Sequence, residues 1–215
     1  MKIKRISSFY SVFYLVEFNE KKILIDSGSP FERRKINSLK EKLDYLLITH
    51  GHWDHIGNAS FLQKNGTKIF IHERDYEFVK NKIIHLPPSK GTFYSNIVYF
   101  SLNFLKRFAD FEVFERDNLK DLNGIYIIET PGHTYGSVTF KIENNYFIGD
   151  TLIGPNPFLK RPRISLFVED KKILKKTLEI LFELEGRFYP GHGPSFTSFE
   201  LKKAKDFIWR ELKER

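Results

Sequence analysis

The most constraining stretch of this chain is Thr49-His50-Gly51-His52-Trp53-Asp54-His55, in which three histidines and an aspartate crowd together directly behind the apolar run Leu46-Leu47-Ile48. A short, continuous apolar run of this kind reads as a buried strand, so the cluster leaves a strand end. Three further fragments repeat the theme: Pro131-Gly132-His133, Ile148-Gly149-Asp150 and Pro190-Gly191-His192-Gly193. Each sets a histidine or aspartate beside glycine, whose missing Cβ lets the backbone turn sharply and come close to a neighbour. A lone histidine near a glycine is ordinarily a structural or surface residue. Five of the chain's seven histidines in such contexts, together with Asp54 and Asp150, are not explained that way.

His50 and His52 lie two residues apart behind a strand, so in extended geometry their imidazoles point to the same side. Asp54 and His55 follow once the chain turns and face a second centre. Neutral imidazole is a common metal ligand, and a carboxylate adds charge and oxygen donors. The residues therefore divide into His50, His52 and His133 for one divalent metal, and Asp54, His55 and His192 for another. Asp150 bridges the two and offsets their repulsion. The chain has no cysteine, which removes disulfides and thiolate ligands. Imidazole and carboxylate donors suit zinc, with iron or manganese as alternatives.

At 215 residues the chain fits one domain spanning 1–215. No stretch approaches the roughly 20 apolar residues of a membrane span, and the first residues lack the apolar region of a signal peptide. A cytoplasmic protein is expected. Lys and Arg number 35 against 27 Asp and Glu, a net charge of +8. Such a balance can attract nucleic acid or small anions. Without a basic tail, it reads as a solvated lysine-rich surface, so a small-molecule substrate is expected and nucleic acid is not. The single glutamine, Gln63, and the absence of methionine beyond Met1, with many charges, fit a heat-adapted source.

Branched and aromatic residues at 12–16 and 23–25 flank the polar Asn19-Glu20-Lys21-Lys22 and predict a β-hairpin, followed by Asp26-Ser27-Gly28. Helices are expected at 31–42, 57–64, 72–80 and 170–184 and from about 197. Strands are expected at 46–48, 68–71, 125–129, 137–142 and 146–148, with a last short one ending at Tyr189. Between them, Ile97, Phe100, Phe104, Phe108 and Phe111 recur at helical spacing. That face reads as core or a homodimer interface, with a lid over an acyl group as the other option. His72 is expected to be a structural or helix-capping residue, and His85 has no assigned role. Interspersed strands and helices predict an α/β fold.

The four motifs, in this order and over most of the chain, resemble a metallo-β-lactamase-fold hydrolase, with a ligand set most similar to glyoxalase II-like thioesterases. The resemblance implies an αββα sandwich and assigns seven metal ligands: His50, His52, Asp54, His55, His133, Asp150 and His192. Asp26 matches an aspartate that braces a ligand. It also implies that two divalent metals, zinc foremost, generate a hydroxide at the dinuclear site. That hydroxide cleaves an ester, thioester or related bond in a small, anionic substrate, with Asp54 orienting the nucleophile and handling a proton. Glyoxalase II proper adds a C-terminal helical domain that holds glutathione, whereas only one helix's length follows His192. Lactonases of the fold carry a tyrosine shortly after the bridging aspartate, where Ile153 stands. The competing readings are a persulfide dioxygenase-like oxidoreductase with one iron, a phosphodiesterase or nuclease, and a binding protein with an idle metal site. Lys160, Arg161 and Arg163, after Asp150, are placed to hold an anionic group, or are plain surface charge.

Overall fold

The first apolar runs pair as a hairpin because a two-residue turn closes them. Asn19 and Glu20 both take positive φ, 47° and 61°, the backbone of a primed turn whose twist matches that of the flanking strands. The turn joins β2 (Val12–Phe18) to β3 (Lys21–Ile25), with Phe18 opposite Lys21. It is shorter than the sequence suggests, since Lys21 and Lys22 belong to β3. A strand not anticipated from the apolar runs, β1 (Lys2–Ser7), pairs antiparallel with β2. Its charged residues mark an edge strand, and only Ile3 and Ile6 turn partly inward.

The computed structural model describes residues 1–39, 42–80 and 122–214. The chain divides into two compact units, Met1–Asn118 and Leu119–Arg215. The aromatic stripe at 97–111, His85 and the expected homodimer face lie outside the described residues. Among those described, no helix is long and apolar enough to cross a membrane.

In the first unit β4 (Tyr45–Leu47) and β5 (Lys68–Phe70) extend the sheet in parallel, giving the order β1-β2-β3-β4-β5. A 3-10 turn (Pro30–Glu32) runs into α1 (Arg33–Ser38), and α2 (Trp53–Ile56), α3 (Ala59–Lys64) and α4 (Glu73–Lys80) follow. The helix expected at 57–64 begins at Ala59 as α3, and the short α2 ahead of it was not anticipated. Asn58, between them, spends its amide on the carbonyls of Ser27 and Ser29 at 2.8 and 2.7 Å, which breaks the helical run. His72 does cap α4: its Nδ1 accepts from the Arg74 N–H at 3.2 Å. Phe13, Leu15, Leu24, Leu46 and Ile69 from the sheet pack with Ile36, Ile56, Leu62 and Val79 from the helical side.

The second unit holds β6 (Ile125–Glu129), β7 (Val138–Ile142), β8 (Asn145–Gly149), β11 (Arg187–Pro190) and β12 (Phe196–Thr197) in the order β12-β11-β8-β7-β6. A small hairpin of β9 (Leu152–Ile153) and β10 (Arg163–Ile164), too short to show in the sequence, stands beside them. The helices are α5 (Lys171–Glu183), α6 (Ser198–Lys203) and α7 (Lys205–Glu214). The single terminal helix expected from 197 is therefore broken at Ala204. Asp170 caps α5 by accepting from the Ile173 N–H at 2.9 Å, worth about 0.5–2 kcal/mol. Leu174, Leu178, Leu181 and Phe182 are buried on the same helix, each worth about 1.5–3 kcal/mol. Packing holds α5; the cap sets where it begins.

Strand direction is what positions the candidate ligands. β6 is antiparallel to β7, β7 to β8, and β8 is parallel to β11, so β6, β8 and β11 all end at the same edge of the sheet. His133, Asp150 and His192 follow those three ends. In the first unit β3 and β4 are parallel, and their ends lead into Asp26 and His50. Each sheet therefore gathers its functional residues at the carboxyl ends of strands, where open α/β sheets bind ligands.

Candidate metal centre

In the first unit the site is built around a buried aspartate. Asp26 follows β3 with φ 59°, a left-handed backbone that aspartate tolerates better than branched residues do. Its Oδ1 accepts the Thr49 N–H at 2.8 Å, and its Oδ2 accepts the Thr49 hydroxyl at 2.8 Å and His55 Nδ1 at 2.8 Å. A threonine hydroxyl has one proton. Because Thr49 gives it to Asp26, its oxygen accepts from His50 Nδ1, 3.1 Å away. The network thus assigns the proton of both His50 and His55 to Nδ1 and leaves the lone pair on Nε2, the tautomer a metal ligand needs.

The remaining ligand-type groups of this unit converge on those nitrogens. His50 Nε2 lies 3.1 Å from His52 Nδ1, the His50 and His55 rings are 4.1 Å apart, and Asp54 Oδ2 is 3.7 Å from His55 Nε2. The loop itself is pinned at two backbone points. Buried Asp75, on α4, accepts from the Gly51 N–H at 2.7 Å, and the Ser11 hydroxyl donates to the Asp54 carbonyl at 2.6 Å.

In the second unit His133 Nδ1 donates to the Phe167 carbonyl at 2.6 Å, which again directs Nε2 away from the backbone. That Nε2 lies 3.8 Å from Asp150 Oδ2, and His192 Nε2 lies 3.1 Å from the same oxygen. The β8 and β11 ends are tied by the Gly191 N–H to the Gly149 carbonyl at 2.8 Å. Gly132 has φ 130°, and a Cβ there would stand 2.5 Å from Leu174 Cα; only glycine lets the His133 loop lie so close to α5. Burial raises the phenol pKa of Tyr189, on β11, so it stays a neutral donor to Asn145 Oδ1 at 3.1 Å.

The first unit brings together His50, His52, Asp54 and His55; the second brings together His133, Asp150 and His192. Imidazole nitrogens held in the lone-pair-presenting form beside carboxylate oxygens are the donor set of a divalent cation, and the residues fit one. Sequence reasoning missed Asp75, Ser11 and the Phe167 carbonyl. Asp75 is an ordinary helical aspartate until its burial is known, and a backbone carbonyl leaves no signal in a sequence. Of the three cations after Asp150, Arg161 stacks its guanidinium 3.6 Å above the Phe207 ring, a contact that commits its planar face to packing.

A family model described as the metallo-beta-lactamase superfamily matches residues 8–192. A probable metallo-hydrolase of Methanocaldococcus jannaschii is 28% identical over 207 residues, covering 91% of this chain and 93% of its own. One from Streptococcus pyogenes is 29% identical over 208 residues, covering 92% and 85%. A protein crystallised in a di-iron-bound form has a TM-score of 0.69 at 22% identity, covering 97% of this chain and 100% of its own; at that identity the likeness is one of fold.

Proposed function

The chain belongs to the metallo-β-lactamase superfamily and is a hydrolase of that fold, and from that membership we propose that its two ligand groups act as one dinuclear centre. His50, His52 and His133 hold one divalent metal, Asp54, His55 and His192 the other, and Asp150 serves both. The two units then work as a single functional domain, 1–215. Asp150 supports this reading best. Its Oδ2 lies within 3.8 Å of His133 and 3.1 Å of His192, one imidazole from each proposed set.

Bound there, two divalent metals supply the Lewis acidity that brings the pKa of water toward neutrality and polarises the scissile group. Zinc is the proposed metal; the di-iron-bound fold neighbour makes iron the alternative. The chain's own groups do the positioning. Asp26, Thr49 and the Phe167 carbonyl hold the Nδ1 protons of His55, His50 and His133, so that each Nε2 stays a donor. Asp54 orients the attacking water and takes its proton on a carboxylate oxygen. A water activated in this way would serve as the nucleophile, so no separate serine or cysteine is required. The substrate is a small cytoplasmic ester or thioester.

Elemental analysis of protein purified without added metal, followed by an ester and thioester screen, tests the proposal. About two metals per chain and metal-dependent turnover, lost in His52→Ala with the fold retained, is the expected result. One iron per chain with oxygen consumption on persulfides would replace it with the oxygenase reading, and no metal uptake would overturn it.

A further inference from the structure

Helices α5 and α7 bury one face and leave the other to water. On α5, Leu174, Leu178 and Leu181 point into the core, and Lys171, Lys172 and Lys175 are exposed to one side of that face. On α7, Ile208 and Leu212 are buried, Arg210 and Lys213 lie outward, and exposed Lys205 holds its ammonium 5.1 Å from the centre of the Phe182 ring. The two helices bound an open groove of about 890 Å³ lined by these six cations, Trp209 and only two carboxylates, Glu179 and Asp206. A net charge of +8 does not by itself distinguish a binding face from a solvated lysine surface. Its concentration in a concave site does.

The cations are also placed against one another. Lys171 and Lys172 open α5 directly behind its acidic cap, Asp170. Lys171 and Lys175 are four residues apart, where like charges repel. Among the described residues none of the six forms an ion pair. Glu179 and Asp206, four residues from Lys175 and Arg210, offset part of this repulsion, and a ligand bringing negative charge would relieve the rest. Lys205 and Lys213 are separated by about 12 Å along α7, too far for one phosphate to serve both and suited to a row of them. Trp209 lines the groove half-buried, its ring packed 5.4 Å from that of Phe182, and an aromatic beside a basic groove is what stacks an unpaired base on the part of the ring left open.

We propose that the α5–α7 groove binds single-stranded nucleic acid, with phosphates along the six cations and a base against Trp209. The groove lies wholly in the second unit, so the proposal does not rest on the dinuclear reading.

Fluorescence anisotropy of the full chain with a labelled oligothymidylate of about 16 nucleotides tests it. Saturable binding is expected, with log affinity falling against log salt at a slope of about −4 if all six cations meet phosphates. Lys175→Glu with Arg210→Glu, both exposed positions, should weaken binding by about tenfold or more, Trp209→Leu by about fivefold or more, and His52→Ala should leave it unchanged. No saturable binding at about 50 mM salt, or binding that survives the charge reversal, would overturn the proposal. Equal affinity for polyglutamate, indifferent to Trp209→Leu, would overturn it in favour of an acidic protein partner.

Discussion

Asp26 Oδ2 stands 2.8 Å from His55 Nδ1, with both side chains shut away from solvent, and this pair sets which nitrogen His55 keeps as a donor. Asp26→Asn preserves the shape but can turn an N–H toward the ring and reverse the tautomer. Metal affinity should fall by about 10–100-fold, read by competition with a chelator; an unchanged affinity would remove Asp26 from the site's support. Asp26→Ala leaves the Thr49 N–H, the Thr49 hydroxyl and His55 Nδ1 without their acceptor and should cost about 1–3 kcal/mol of unfolding free energy for each donor left unmet.

Thr49 relays the same restraint to His50, giving its proton to Asp26 and accepting from the ring. Thr49→Val keeps the volume and deletes the hydroxyl. A loss of about 1–3 kcal/mol is expected from the unmet carboxylate and imidazole, seen as a lower urea midpoint, whereas Thr49→Ser should retain most of the stability.

Gly132 carries the His133 loop across α5, and an added methyl would meet the Leu174 backbone at 2.5 Å. Gly132→Ala combines a forced contact with a disfavoured φ and should cost at least about 2 kcal/mol. Melting temperature should drop by about 4 °C or more for a chain of this size. Wild-type melting in the variant would show that the loop can lift without penalty.

The Glu185 carboxyl is held below its ordinary value of 4.5 by hydrogen bonds from Lys202 and Ser198 and by the Lys202 charge. The folded state therefore binds this proton less tightly than the unfolded one. Its contribution is present above the unfolded pKa and is lost as pH falls through the folded one. The group is exposed, so the effect on stability is small and is best read directly. In an NMR titration the Glu185 carboxyl should move up toward 4.5 in Lys202→Ala.

The scarcity of glutamine and methionine beside many charges leads to the expectation of a melting temperature above about 65 °C, the upper edge of the ordinary mesophile range. A calorimetric transition within that range would refute heat adaptation.

The candidate site was legible in the sequence because its chemistry is concentrated in a few residues. Three histidines and an aspartate packed behind an apolar run suit metal ligation far better than core packing, and glycine beside His133, Asp150 and His192 announced tight turns. Central strands such as β4 and β8 were legible for a related reason: buried on both faces, they read as unbroken apolar runs. The charged edge strand β1 and the two-residue strands β9, β10 and β12 were not, since pairing rather than side-chain pattern makes them strands. Helix breaks at Asn58 and Ala204 were hidden likewise, the first because Asn58 is recruited by a loop distant in sequence.

By itself, then, the sequence determined the ligand types, the exclusion of thiolate chemistry and the strand–turn contexts in which the ligands sit, because these depend on residue identity and near neighbours. Only the tertiary structure decided that β6, β8 and β11 run in one direction and so deliver His133, Asp150 and His192 to one edge. It alone decided that Asp26, Thr49 and a backbone carbonyl choose the histidine tautomers, and that six cations of α5 and α7 share one groove. Those outcomes depend on strand register, burial and hydrogen bonds between residues far apart in the chain, which no local pattern encodes.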